Sequence, residues 1–278
     1  MGALTDYLFL SEPGTPFDAY INANSPRIGI NNFANKGNVS STIGTIPTNP
    51  AYLATLPSTD EKWISEDRPS HIFIFNAGDS LIVDYVGIAA YRGLIGRQIQ
   101  ITLLLNSQVV RTIGPFMVTE EVPVFKIFEA TECDSATINF SGADSFDIEV
   151  GFISIGQTVA LPRNIYVGHS PMPFSRRPET RFLISDNGTF LGQQKQRTLM
   201  SSSVSMSNVP PDYYREIIYP FFQLPAETMP FFWAWRPGTY PDEVAFCWLP
   251  TGQFNMANEL PNGFMNIGFD LMGHVNEY

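Results

Sequence analysis

Along much of the chain apolar and polar residues alternate with a period of two, the spacing of half-buried strands rather than of amphipathic helices. Phe146, Ile148, Val150 and Phe152 fall on one side of an extended segment, against Asp147, Glu149 and Gly151 on the other. The same reading predicts strands at His71–Phe75, Ser80–Tyr91, Arg97–Leu105, Gln108–Ile113, Pro123–Phe128, Thr137–Ser141 and Phe146–Ile155. They are separated by Asn76-Ala-Gly-Asp79, Gly93 to Gly96 and Asn106-Ser107. Strands at such intervals predict a β-sandwich over residues 66–156. Beyond a junction at Gly156 to Pro162, strands are expected near Arg163–Gly168, Arg181–Ser185, Arg197–Ser207, Phe231–Trp235, Ala245–Leu249 and Phe264–Leu271. One helix interrupts them: Asn208 as its cap, Pro210 or Pro211 in its first turn, Tyr213, Ile217 and Phe221 on one face, and Pro220 and Pro225 closing it. Within residues 1–65, positions 11–60 hold only short apolar runs, such as Tyr20-Ile21 and Ile28-Gly-Ile30, among Pro, Gly, Asn, Ser and Thr. Residues 1–65 read as an extended N-terminal arm.

The densest hydrophobic signal is Met229-Pro-Phe-Phe-Trp-Ala-Trp-Arg-Pro-Gly-Thr-Tyr-Pro-Asp-Glu-Val-Ala-Phe-Cys-Trp248, two aromatic-rich halves around a Pro/Gly/Asp turn, hence a β-hairpin. Phe231, Trp233 and Trp235 alternate with Phe232, Ala234 and Arg236, so one face of the first strand is almost wholly aromatic. Such a face needs a cover: a core beneath it, a subunit interface or a ligand platform.

This stretch resembles a family of tail proteins of long-tailed bacteriophages. So do Ile165-Tyr-Val-Gly-His-Ser-Pro-Met-Pro-Phe-Ser-Arg-Arg-Pro-Glu-Thr-Arg181 upstream and Gly263-Phe-Met-Asn-Ile-Gly-Phe-Asp-Leu-Met-Gly-His274 downstream. The resemblance is to tail-tip or baseplate components, with a distal tail protein or its adaptor as the nearest role. The order of strands in 66–156 resembles galactose-binding-like jelly rolls. Together they imply a mainly β fold: a jelly-roll-like β-sandwich followed by a tail-tube-like β domain with one short helix at 157–278. They also imply a structural virion protein that is made in the host cytoplasm and self-assembles into a ring, a hexamer by resemblance, with tail-tube and tail-tip proteins as partners. Phe231, Trp233, Trp235, Arg236, Arg176 and Arg177 are its candidate oligomer interface. The alternative role is recognition of host-surface glycan by the sandwich, with Tyr85, Tyr91 and Phe116 stacking on sugar faces.

Composition supports an assembly protein more than an enzyme. Of 278 residues, 44% are hydrophobic and only 15% charged, which leaves much neutral surface for subunit contact. The net charge of −11 is carried mostly by residues 1–156, with 17 acids and 8 bases. Residues 161–197 reverse the sign through Arg163, Arg176, Arg177, Arg181, Lys195 and Arg197. An acidic chain lacks the sustained basic field that nucleic acid requires. No run of about 18 apolar residues predicts a membrane span, and two distant cysteines, Cys133 and Cys247, predict buried thiols rather than a disulfide framework.

No catalytic, cofactor or metal residues are expected. His71, His169 and His274 stand apart from metal-ligand spacings, and His169-Ser170 lacks the Gly-x-Ser-x-Gly elbow of a serine hydrolase. Asp186-Asn-Gly188 reads as a turn. Glu129, Glu132, Asp134, Asp144, Asp147 and Glu149 gather near strand ends, where an oxygen-rich calcium site competes with ordinary solvated faces.

Overall fold

The computed structural model describes residues 22–30, 32–35, 37–41, 45–165, 168–220, 229–250, 255–257 and 263–275. They form a mainly β protein of two antiparallel sheets. The first is the jelly-roll-like sandwich. Its strands run in the order β2 (Asn38–Ser41), β3 (Trp63–Arg92), β6 (Val124–Gly156), β4 (Gln98–Leu105) and β5 (Gln108–Met117). Both β3 and β6 are long enough to bend round the core. Residues 63–76 of β3 pair with 150–135 of β6, whereas its second half is bracketed by residues 124–133 and 149–156 of the same partner. Trp63, Phe73, Phe75, Ile101, Ile138 and Phe140 fill the interior, so the period-two pattern of this region is spent on one core face, as the sequence predicts.

The second sheet runs in the order β7 (Thr158–Ala160), β1 (Arg27–Gly29), β10 (Phe231–Ala234), β11 (Val244–Trp248), β13 (Met265–Gly273), β9 (Phe190–Val209) and β8 (Arg176–Ile184). A short β12 (Asn255–Ala257) is added to β13. The segment read as an arm carries structure. Arg27 pairs with Ala160 on one side and Ala234 on the other, and Ile28 is wholly buried. Three residues are too few to form a strand alone; two flanking partners supply the hydrogen bonds that the local sequence cannot. Asn32 then ties the segment to the sandwich, its Nδ2 donating to the Ile153 carbonyl at 3.0 Å while its Oδ1 accepts from Ile155 N at 3.3 Å. Ala34, Ala51 and Ala54 enter the sandwich core. The chain therefore starts in the second sheet, builds the sandwich, and returns at β7 beside β1.

Three expectations for the second half change. The described part of Arg163–Gly168 is loop, although Ile165 is buried. The hairpin strands β8 and β9 begin five and seven residues earlier than alternation predicts, since their outer parts are polar or exposed on both faces and carry no core signature. The helix exists, but Pro210 rather than Asn208 precedes it, and Pro211–Tyr213 passes at once into a π-helical turn at Tyr214–Ile218. The wider turn replaces the expected i, i+4 face by Tyr213, Tyr214 and Ile218, all buried, and leaves Ile217 partly so. Phe221 and Pro225 lie outside the described residues.

Strand β10 joins the two halves. Alternation sends Phe231 and Trp233 into the core of the second sheet and Phe232 and Ala234 the opposite way, against the sandwich. Phe232 is fully buried and stacks on Phe125 with centroids 5.5 Å apart and planes within 4°. It also meets Phe246 at 5.2 Å and Phe152 at 6.0 Å. Gly87 makes room for it, because a β-carbon there would stand 2.3 Å from the Phe232 ring. Replacing Phe232 by Ala removes the ring on which both halves close. It is expected to cost about 3–5 kcal/mol, read as a lower urea midpoint, and a loss under 1 kcal/mol would refute this account of the joint.

Candidate interaction surface

The sequence's candidates for a subunit interface fall in three places. Phe231 and Trp233 are buried inside the protomer, so they present no surface to a second chain: the core beneath β10 is their cover. Trp235 and Arg236 close the aromatic hairpin locally. Trp235 Nε1 donates to Glu243 Oε2 at 2.5 Å, its ring stacks on Tyr240 at 5.6 Å, and the Arg236 guanidinium lies 5.5 Å above the Trp235 ring. Arg176 and Arg177 alone are exposed, at the base of β8. The candidate sugar platforms move as well. Tyr85 and Tyr91 are buried; the Tyr85 hydroxyl lies 2.6 Å from Ser154 Oγ, and the Tyr91 hydroxyl reaches the Val122 carbonyl at the same distance. Neither ring is open to a glycan. Phe116 stays half-exposed, with Lys126 Nζ over its ring at 4.9 Å.

The three family-like blocks are brought together. They supply β10, β11 and β13, which are neighbours, and the start of β8, which β9 separates from β13 in the same sheet. His169 packs edge-on to Trp233 at 6.0 Å and against Trp235 at 5.6 Å.

What sequence reasoning missed is the hairpin formed by β8 and β9. Its outer half, from Arg181 to Ile184 and back from Phe190 to Arg197, is exposed on nearly every residue of both faces. It closes through a turn in which Thr189 N donates to Ser185 Oγ at 3.0 Å, around the predicted Asp186-Asn-Gly188. Its tip is apolar: Phe182, Leu183, Ile184, Phe190 and Leu191 are 45–65% exposed. Ile184 lies opposite Phe190, and Phe182 is two residues from Ile184, so these three share one face. Arg181 and Lys195 lie between that tip and the base, where Arg176, Arg177 and the Glu179-paired Arg197 stand. Strand β8 also ends the sheet, leaving one row of backbone donors and acceptors unpaired. The signal was present as Phe182-Leu-Ile184 and Phe190-Leu191 on either side of a turn.

Among the described residues the ionisable groups are held in separate local contacts. His169 Nδ1 lies 3.2 Å from the Ser203 carbonyl and 3.2 Å from Ser202 Oγ, but the Ser202 hydroxyl donates to the Ser170 carbonyl at 2.6 Å, so the proton of this serine is directed away from the imidazole. Desolvation lowers the pKa of His169 and of His71. The latter is fully buried between Ser65 Oγ at 3.0 Å and the Phe146 carbonyl at 2.8 Å. The acids proposed for calcium are dispersed along the sandwich. Glu129 pairs with Arg111 at 2.7 Å, Glu132 accepts from Ser80, Asp134 accepts from Asn106 N at 2.6 Å, and Glu149 meets Lys62 at 3.2 Å. Among the described residues no three His, Cys, Asp or Glu side chains group around a common point. Burial raises both thiols, Cys133 to about 11.

Asp84 is the carboxylate most displaced. Burial pushes its pKa up to about 6, against the opposing pull of the Thr158 amide, which donates at 2.6 Å, the Thr158 hydroxyl at 2.9 Å, and the Arg27 guanidinium. It sits where β3 of the sandwich meets β1 and β7, which makes it a structural staple and not a base facing a cleft.

The chain matches no protein-family model and no curated protein sequence. Among solved structures it is similar to the lectin domain of lectinolysin complexed with Lewis B antigen, at 13% identity over 46% of this chain and 98% of that one, TM-score 0.41. It is also similar to chitosan-binding module 2 of a chitosanase/glucanase from Paenibacillus sp. IK-5 in complex with chitotriose, at 12% identity over 45% and 99%, TM-score 0.38. A fucose-binding module from Streptococcus pneumoniae is a third, at 9% over 45% and 96%, TM-score 0.38. Likeness this distant carries no inference about what this chain binds.

The raised pKa of Asp84 has a definite sign. Between the unfolded value of 3.8 and about 6 the native state holds the extra proton, so this group's stabilisation is full below pH 4 and lost as pH rises through 6. Relative to wild type, Asp84→Asn is expected to gain about 2–3 kcal/mol on going from pH 4 to pH 7, measured by urea unfolding at stepped pH. A pH-independent difference would exclude the staple as described.

Proposed function

We propose that this chain is a structural subunit that assembles with copies of itself, as a distal tail protein or baseplate component of a phage tail tip. The observation that carries the assembly reading is the β8–β9 hairpin. A two-stranded ribbon with five exposed apolar side chains at its tip is not self-sufficient in water, and burying them on a neighbour removes the cost. Its basic flank and the acidic sandwich, whose residues 63–156 hold 12 acids and 5 bases, are complementary and would set the register of one copy on the next. The tail-tip assignment is supported by the resemblance of the three sequence blocks, all of which contribute strands to the sheet that bears the hairpin. A closed ring, hexameric by the same resemblance, and placement in the virion beside tail-tube proteins belong to this proposal, as does the absence of catalysis. Saccharide recognition by the sandwich is the second reading; of its three aromatic candidates Tyr85 and Tyr91 are interior and Phe116 is half-exposed.

The test is the absolute mass in solution by light scattering, with negative-stain images of the same sample. Wild type is expected to form a closed ring. A Phe182→Ser/Phe190→Ser variant is expected to keep its far-ultraviolet spectrum and its melting temperature within a few degrees while its mass falls to that of the monomer. A wild-type monomer at high concentration, or a double variant that still assembles, would sink the reading.

A further inference from the structure

Strand β11 carries a second unassigned feature. Val244, Phe246 and Trp248 point to the side of the sheet that faces the sandwich. The first two are buried in the joint with Phe152 and Phe232, but Trp248, next in the same row, is 36% exposed. The sandwich withdraws from it for a local reason. At the facing pair of β3 and β6, Ala90 takes a φ of 53° opposite Gly151, and both strands roll over: Ala89 and Phe152 face the joint, whereas Tyr91 and Val150 turn into the sandwich core. Beside it a cleft of about 350 Å³ opens, lined by Trp248 together with Ala90 and Tyr91 of the sandwich.

The walls of that cleft have a particular chemistry. Trp248 forms one side, and among the described residues it stacks on no other ring and makes no side-chain hydrogen bond; Trp63, Trp233 and Trp235 each meet a ring partner. Thr59 and Lys62 line the opposite side, and Thr198 and Arg197 the rim. Lys62 is paired with Glu149 at 3.2 Å, and Arg197 gives its Nε to Glu179 at 2.5 Å. Glu149 also meets Arg92 at 3.5 Å, so the lips offer ion-paired cations beside hydroxyls. A flat indole face flanked by such donors suits the C–H face and hydroxyl rim of a sugar. We propose that this cleft is a binding site for a neutral mono- or disaccharide, which stacks on Trp248 and is held by hydroxyl hydrogen bonds to Lys62, Arg197 and Thr198. The site belongs to both halves, and it differs from the sandwich face marked by Phe116.

The inference does not depend on ring formation. Its test uses the full-length protein with glucose, galactose, N-acetylglucosamine and their β-linked disaccharides, followed by saturation-transfer NMR and calorimetry. At least one sugar is expected to bind with an affinity on the order of millimolar, with saturation strongest on its ring C–H protons. Trp248→Ala is expected to weaken binding at least tenfold, and Lys62→Met severalfold, with unchanged melting curves. Phe116→Ala is expected to have no effect. No binding by any sugar of the panel, or binding lost in Phe116→Ala and kept in Trp248→Ala, would overturn the proposal.

Discussion

The structure depends on one strand being covered on both faces. β10 is four residues long, and each is buried, because its two faces serve two different cores. A strand in that position cannot tolerate a polar residue on either side. This explains why Phe231-Phe-Trp-Ala234 is so dense in large apolar groups. Burying a Phe or Trp contributes on the order of 2–3 kcal/mol each, so this tetrapeptide concentrates a large share of the driving force that holds the halves as one body. The aromatic stacking geometry around Phe232 adds direction to what burial alone leaves unoriented.

The same constraint explains how far the sequence could be read. Alternation at His71–Phe75 or Arg97–Leu105 located strands, since there one face meets a core and the other meets water. It also separated Phe231 and Trp233 from Phe232 and Ala234. It could not say that the second face of β10 is covered too, because a doubly buried strand and an aromatic interface strand have the same composition. Tyr85 and Tyr91 are misleading for a related reason. A tyrosine whose hydroxyl finds Ser154 or a backbone carbonyl is as content inside as out, and only the fold supplies that partner. The face assigned to Phe146, Ile148, Val150 and Phe152 fails at its last member, where the roll at Gly151 passes Phe152 to the joint.

Non-local pairing limited the rest. Ile28-Gly-Ile30 is too short to announce a strand, yet Ile28 and Gly29 lie inside a sheet because Thr158–Val159 and Phe232–Trp233, far along the chain, pair on either side of them. Both candidate surfaces were similarly hidden. The outer hairpin has no buried face to generate periodicity, and the cleft is composed of residues from β3, β9, β11, the end of β13 and the loop before Trp63, which no spacing along the chain connects.

The two surfaces meet at Arg197. It is the last cation of the projecting part of β9, paired across the hairpin to Glu179, and it is also part of the cleft rim. Exposed ion pairs of this kind contribute little to stability, so the place of Arg197 and Thr198 is set by the pairing of β9 with β8 and, just beyond them, with β13. A neighbour that captures the apolar tip would pull on the strand that carries Arg197 and Thr198, and with them one lip of the cleft. Assembly and ligand binding would then be thermodynamically linked, each altering the free energy of the other by the same amount. The joint around Phe232 stays fixed meanwhile, because its packing leaves no alternative arrangement for the rings.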